Sequence, residues 1–314
     1  MNDRLHIPVL RDEVLSFLEP GPGRRLVDGT FGFGGHSVAM LEQGADVLGL
    51  DLDEEAVAAC RRISTDRPRL KCTRCSFRDL EAAVSAAGWD KADGVLLDLG
   101  VSSRQLDDPG KGFTYRADGP LDLRFHQGRG QSAADLLAMV DEKELVRIIR
   151  EYGEDRGARP LARVIMAAGR TEPIRTTAQL ADVIRESLPK GAPVNAVLSR
   201  VFQALRIAVN EELGALEDVL EQVSRVIRPG GRVVVMSYHS LEDRMVKRWI
   251  DRERRDCLCP PELPVCRCGH KATVKSLTRR PVVADADEIA RNPRARSAKV
   301  RVAEILKPGR GAQS

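Results

Sequence analysis

This sequence predicts an α/β protein: a doubly wound, mostly parallel sheet with a helical insertion after its fourth strand. Three observations predict it. Short apolar runs alternate with helical patterns over the first hundred residues, a glycine-crowded turn follows the first run, and the alternation stops near Gln105 and resumes near Glu211. A chain of 314 residues suffices for two domains, or for one domain carrying a large insertion. With 42% apolar and 31% charged residues, collagen-like, low-complexity and wholly disordered classes are excluded. No run approaches the roughly 18 apolar residues of a membrane span, and MNDRLHIPVL lacks a signal-peptide core. The expected location is therefore the cytoplasm, with no membrane partner.

Taken in order, LRDEVLSFLEP has amphipathic helical spacing closed by Pro20, and Gly21-Pro22-Gly23 is a turn. RRLVDGT is a first strand ending at Asp28. Gly32, Gly34 and Gly35 crowd the turn after it, and HSVAMLEQG is a helix stopped by Gly44. ADVLGLDLD is a second strand with acids at its end, EEAVAACRRI a second helix, RLKCTR a third strand and KADGVLLDLG a strongly apolar fourth. Residues 105–211 then show loop material and helical patterns (SAADLLAMV, DEKELVRIIREYG, RPLARVIMAAGR, TAQLADVIRESL) with no buried strand. A long helix, LGALEDVLEQVSRVIRPGG, leads to a fifth buried strand, RVVVMSY, and to a further helix, LEDRMVKRWIDRERR. Two edge strands are expected around TVKSL and KVRVAEIL. The expected division is a core of 1–104 with 212–314 and an insertion of 105–211.

Net charge is only +4, yet residues 271–310 hold eleven Lys or Arg against four acids. A basic stretch on a slightly acidic body suits a polyanion, because cations that displace counterions from phosphates supply sequence-independent affinity; a solvated tail is the alternative. Seven cysteines do not make a secreted disulfide framework. Cys60, Cys72 and Cys75 read as structural. Cys257, Cys259, Cys266 and Cys268 form C-x-C-x6-C-x-C, with Pro260, Pro261 and Pro264 between the pairs and His270 beyond. Four soft ligands within twelve residues suit tetrahedral zinc, but C-x-C is tighter than the usual C-x2-C knuckle. Free surface thiols are the alternative, and no metal is assigned.

Glycines at the first strand-to-helix turn let backbone approach a ligand, and the helix N-terminus beyond favours an anion. That signal is weak alone, since the spacing is G-x-G-G rather than G-x-G-x-x-G. Asp51 adds specificity: it ends the second strand seventeen residues after Gly34, where a carboxylate accepts hydrogen bonds from both ribose hydroxyls of an adenosine ligand. Capping of the next helix by Asp51 or Asp53 is the competing reading. A dinucleotide such as NAD and S-adenosylmethionine both fit. The missing third glycine, and Asp28 placed for a ligand ammonium, favour S-adenosylmethionine. Asp98, in Asp98-Leu99-Gly100-Val101-Ser102-Ser103, ends the fourth strand where the reacting group belongs. An exocyclic base amine delocalises its lone pair into the ring and is a poor nucleophile. An acceptor for its N–H favours pyramidal nitrogen and aims the lone pair at the methyl group. Asp98 is the candidate acceptor; binding the cofactor or capping a turn is its alternative role. Methylation at ring carbon would need a nucleophilic cysteine, and none is well placed.

Together HIPVLRDEV, DGTFGFGGHS, DLGVSSRQLDD, GPLDLRF, FQALRIAVNEEL, GGRVVVMSYHSLEDRMVK and NPRARSAKVRVAE closely resemble the bacterial 16S ribosomal RNA (cytosine-N4)-methyltransferase family, from about His6 to Glu304. The resemblance implies a class I S-adenosylmethionine-dependent methyltransferase fold. It also implies that cofactor as methyl donor and a cytidine of the decoding region of 16S ribosomal RNA, free or within the small ribosomal subunit, as acceptor. By matched motifs, Gly34, Gly35 and His36 contact the cofactor, Asp51 its ribose and Phe77 its adenine, while Asp98 and Gln105 complete the pocket. His36, Phe77 and Gln105 rest on the resemblance alone. Three departures stand out: Arg104 for proline before Gln-Leu-Asp, Tyr238 for phenylalanine before His-Ser-Leu-Glu-Asp, and LDLRF for a methionine-rich version. None removes a polar group the chemistry requires, although Arg104 bears on the loop that aims Gln105. His239 reads first as a hydrogen-bonded structural histidine and second as a contact to the target base or its phosphate. Arg294, Arg296 and Lys299 are expected to hold RNA phosphates, and 105–211 to cover the substrate side. A nicotinamide-dependent oxidoreductase and a non-catalytic RNA-binding assembly factor are the rival readings.

Overall fold

The computed structural model describes residues 8–260, 262–263 and 265–307; His6, Pro261, Pro264 and Arg310, named above, lie outside them. Two compact units divide the chain, 1–100 with 215–314, and 101–214.

The first unit is built on α1 (Arg11–Leu18), β1 (Arg25–Asp28), α2 (Gly35–Glu42), β2 (Asp46–Asp51), α3 (Glu54–Thr65), β3 (Leu70–Arg74), α4 (Leu80–Ala86) and β4 (Ala92–Asp98). The sheet order is β3-β2-β1-β4 followed by β5 (Ile227–Ser237), β7 (Lys299–Ile305) and β6 (Val274–Ser276). Strands β1 to β5 are mutually parallel, and β7 runs antiparallel to both β5 and β6. The chain winds outward from β1 to β3 and then returns to β4 on the other side of β1. The carboxyl ends of β1 and β4 therefore flank the switch point at which doubly wound sheets bind ligands.

The strands read as continuous apolar runs because both sheet faces are covered. On one face Val27, Leu48, Val95, Leu97, Val233 and Val235 pack with Leu80 and Val84 of α4 and with α11 (Glu212–Val226) and α12 (Ser240–Glu253). On the other, Leu26, Val47, Leu96, Val234 and Met236 pack with Val14 and Leu18 of α1 and Met40 of α2. Alternate residues of one strand thus enter two cores, the period-2 geometry of a pleated strand.

Four expectations change. β7 is interior, and only β6 forms that edge, since β7 pairs with β5 along its length. β5 begins at Ile227 rather than Arg232: Ile227 pairs with Ala92 and Arg232 with Gly94, so Pro229, Gly230 and Gly231 form a bulge inside the strand. Cys72, expected to flank the third strand, lies within β3, and it forms a disulfide with Cys60 that ties α3 to β3, in keeping with the structural reading of both. The alternation also hid α4, whose seven residues are too few for a clear period.

In the second unit, α5 (Ser103–Asp107), α6 (Ala133–Met139), α7 (Glu142–Glu151), α8 (Ala158–Thr171), α9 (Thr177–Ser187) and α10 (Val194–Asn210) surround one core. α10 is the longest and buries Val197, Leu198, Val201, Phe202 and Leu205. No strand occurs among the described residues of this unit. Asn210, at the end of α10, accepts a hydrogen bond from Phe125 N–H at 2.8 Å and donates to the Leu123 carbonyl at 2.7 Å. In the first unit, α13 (Ala286–Arg291) and a 3-10 turn (Pro293–Ser297) precede β7.

Candidate functional site

The site lies at the carboxyl edge of the sheet. Gly34, at the N-cap of α2, has φ +84°, and a Cβ there would sit 2.7 Å from the Phe31 ring, so a side chain is excluded twice over. Gly35 is the first residue of α2. Asp51 ends β2 and accepts hydrogen bonds from Gly32 N–H at 2.7 Å and Asp53 N–H at 2.8 Å. The cap of α3 is Asp53, which accepts from Glu55 N–H, so the helix-capping reading belongs to Asp53 and not to Asp51. Desolvation pushes the Asp51 carboxyl up to about 6. A carboxylate has about four lone-pair sites, and these two backbone donors leave acceptor capacity for a diol.

Asp28 departs from expectation. Only 2% exposed, it accepts from Ser37 Oγ at 2.7 Å and Thr30 N–H at 3.2 Å, which ties β1 to α2 instead of presenting a carboxylate to a ligand ammonium. Burial pushes it up to about 6.

Asp98 ends β4 with its side chain 26% exposed. Its backbone N–H donates to Thr30 Oγ1 at 2.7 Å, and its Oδ1 accepts from the Tyr238 hydroxyl at 2.8 Å. Desolvation pushes the Asp98 carboxyl up to about 7 against the opposing Tyr238 hydrogen bond, with the Asp28 and Glu242 charges adding to the rise. His36, on α2, brings Nε2 to 3.8 Å from Asp98 Oδ2. It is buried, and neither ring nitrogen has a hydrogen-bond partner among the described residues. Burial lowers His36 to about 4, so it is a neutral imidazole at physiological pH. Phe77 opens a 3-10 turn after β3 and packs against the β1–β4 core; a Cβ on Gly29 would lie 3.2 Å from its Cβ. The structure thus brings Gly34, Gly35, His36, Asp51, Phe77 and Asp98 to one sheet edge. Gln105 belongs to the other unit, where its Oε1 accepts from Ser102 N–H at 2.9 Å in the capping box of α5.

Sequence reasoning missed two polar supports of Asp98. Tyr238 was visible only as a hydroxyl added where phenylalanine is usual, and its target depends on β4 and β5 being neighbours, with Asp98 opposite Met236. Thr30 gave no signal of its own. His239 is half-buried at the N-cap of α12, with Nε2 3.1 Å from Glu242 Oε1, while Glu242 Oε2 accepts from Tyr238 N–H at 2.9 Å. Neither ring nitrogen has a hydrogen-bond partner among the described residues, so the hydrogen bond expected of a structural histidine is not formed. The basic turn holds Arg294 and exposed Arg296, and Lys299 lies opposite Ser237 at the upper end of β5, 3.9 Å from Asp243.

The site has the features an adenosine cofactor needs: a glycine turn no side chain could occupy, an acid at the end of β2, and a buried histidine with unspent nitrogens. Fold and site define a methyltransferase of the doubly wound, S-adenosylmethionine-dependent class. Residues 3–306 match the MraW methylase family, and the chain belongs to it. It is 48% identical over 308 residues to ribosomal RNA small subunit methyltransferase H of Anaeromyxobacter sp. (strain K), covering 97% of this chain and 99% of that protein. The protein of the same name from Heliobacterium modesticaldum is 45% identical over 309 residues, covering 96% and 99%. An rRNA methylase from Streptococcus thermophilus overlays with a TM-score of 0.42 at 10% identity, over 95% of this chain and 94% of that one, too loosely to bear on function.

Proposed function

We propose that this protein transfers a methyl group from S-adenosylmethionine to the exocyclic N4 amine of a cytidine in the decoding region of 16S ribosomal RNA, in the cytoplasm, on free RNA or on the small subunit. The observation that supports this best is Asp98. It stands at the end of the switch-point strand, where an amine acceptor is required, its backbone held by Thr30 and its carboxylate oriented by Tyr238.

When bound, the cofactor supplies an electrophilic methyl on a sulfonium. The protein supplies position and electrostatics. Gly34 and Gly35 give the close backbone approach, Asp51 accepts the ribose hydroxyls, and the Phe77 ring offers an apolar face to adenine. His36, neutral and desolvated, provides a hydrogen-bonding nitrogen beside Asp98. Gln105 enters this set on its family motif. The Asp98 carboxylate accepts an N–H of the cytosine amine, which opposes delocalisation into the ring and points the nitrogen lone pair at the methyl carbon. Transfer to nitrogen would form the N–C bond and leave the S–C electron pair on sulfur. The resulting N4 ammonium is acidic enough to lose its proton to water, so no dedicated base is required. Arg294, Arg296 and Lys299 hold RNA phosphates. Segment 105–211, entered directly after the β4 motif, is assigned to the substrate side on that sequence adjacency.

The test is incubation with isotopically labelled S-adenosylmethionine and small ribosomal subunits lacking the modification, followed by nucleoside mass spectrometry. Label on N4 of a cytidine, lost in Asp98→Ala, supports the assignment. Label on a ring carbon, or none despite cofactor binding, overturns it in favour of different chemistry or a binding protein.

A further inference from the structure

Between the end of α12 at Glu253 and the start of β6 at Val274 the chain runs through positions 254–273, with no helix or strand among the described residues. Structureless loops of this length are uncommon in compact domains unless something organises them. Apolar packing does not: Leu258, Leu263 and Val265 are all exposed, Val265 at 69%. Four cysteines converge in this loop. Cys257 Sγ lies 3.4 Å from Cys266 Sγ and 3.8 Å from Cys268 Sγ, and the last two are 3.6 Å apart. With Cys259, all four sulfurs fall within 4.8 Å of one another. A tetrahedron of sulfurs around zinc, with Zn–S bonds of about 2.3 Å, has edges of about 3.8 Å. An iron–sulfur cluster needs its cysteines spread around several metal atoms, so the spacing fits a single ion.

The backbone around the sulfurs is also arranged for thiolates. Leu258 N–H donates to Cys268 Sγ at 3.3 Å, Cys259 N–H to Cys257 Sγ at 3.4 Å, and Arg267 N–H to Cys259 Sγ at 3.3 Å. Such donors are the outer-shell contacts that fix and stabilise metal-bound sulfur. The short C-x-C spacing, which argued against a knuckle in the sequence, is accommodated: Cys266 and Cys268 turn their sulfurs to the same point.

We propose that Cys257, Cys259, Cys266 and Cys268 bind one zinc ion as a closed structural site that folds the 254–273 loop. Four thiolates leave no open position for substrate, so the ion organises chain and takes no part in methyl transfer. Where apolar burial is missing, metal binding supplies the local folding free energy.

The full-length protein, grown with zinc and purified under reductant without chelator, is to be assayed by plasma mass spectrometry for bound metals. About one zinc per chain is expected. Cys257→Ser and Cys268→Ser should each lower this at least fivefold, whereas Cys75→Ser, outside the cluster, should retain it. Cobalt(II) in place of zinc should give the visible bands of a tetrahedral thiolate site. Chelator should speed proteolytic cleavage within 254–273 at least tenfold and leave S-adenosylmethionine binding unchanged, a readout that also shows the serine variants to be folded. Metal-free protein, iron in place of zinc, two disulfides among the four cysteines, or zinc retained by both serine variants would overturn the proposal.

Discussion

Asp98 depends on two hydroxyls from different parts of the chain. Thr30, just beyond β1, holds its backbone, and Tyr238, just beyond β5, holds its carboxylate. The Tyr238 bond favours the charged carboxylate, the form that accepts an amine N–H. Methyl transfer should therefore rise with pH as Asp98 ionises, at or below about 7 because a bound sulfonium cation favours the anion further. Tyr238→Phe should move that acid limb of kcat/KM upward by roughly 1 pH unit, the value of one hydrogen bond to a charged group. An unmoved limb would show that the hydroxyl does not tune Asp98. Asp98→Asn keeps the shape but removes the charge, and kcat should fall on the order of 10²–10³-fold. Single-turnover kinetics with cofactor saturating separates that loss from weaker binding. Asp51 and Asp98 were legible in the sequence because each ends a strand. Tyr238 was not, since its partner lies 140 positions away and only strand order makes them neighbours.

Among the elements, the glycine turn and the basic turn answer to different forces. Gly34→Ala places a Cβ against the Phe31 ring at a positive φ, and we expect a loss of about 1–3 kcal/mol by denaturant melt together with weakened cofactor binding by calorimetry. Full stability and affinity would mean that the turn re-forms around a side chain. The turn Pro293–Ser297 sits at the carboxyl edge because β7 runs antiparallel to β5 and starts opposite Ser237. Charge counting found the basic segment; the direction of β7 puts Arg294 and Arg296 at that edge. The double substitution Arg294→Ala with Arg296→Ala should weaken RNA binding and reduce the slope of log affinity against log salt by about 2, with cofactor affinity intact. An unchanged slope would remove both arginines from the phosphate contacts.

For the whole molecule, three carboxyls at one sheet edge, Asp28, Asp51 and Asp98, are all pushed up by burial, to about 6, 6 and 7. Each has a folded value above its unfolded value of 3.8, so between pH 4 and 7 the folded chain binds more protons than the unfolded one. Their contribution to stability therefore falls as pH rises through that window. Asp98→Asn should remove part of the fall, on the order of 2 kcal/mol after allowing for partial exposure of the side chain, measured by urea unfolding of ligand-free protein at pH 5 and pH 8. A parallel pH dependence in the variant would show that Asp98 ionises normally. The chain by itself determined the alternation of strands and helices, the glycine turn, the strand-end acids and the interruption at residues 105–211, because period, turn chemistry and strand length are local properties of neighbouring residues. Only the tertiary structure decided that β7 is interior, that Asp28 is spent on Ser37, that Tyr238 meets Asp98, that Cys60 pairs with Cys72, and that four cysteines converge on one point. Each of those depends on which segments become neighbours once apolar faces are buried, and burial is a property of the folded whole.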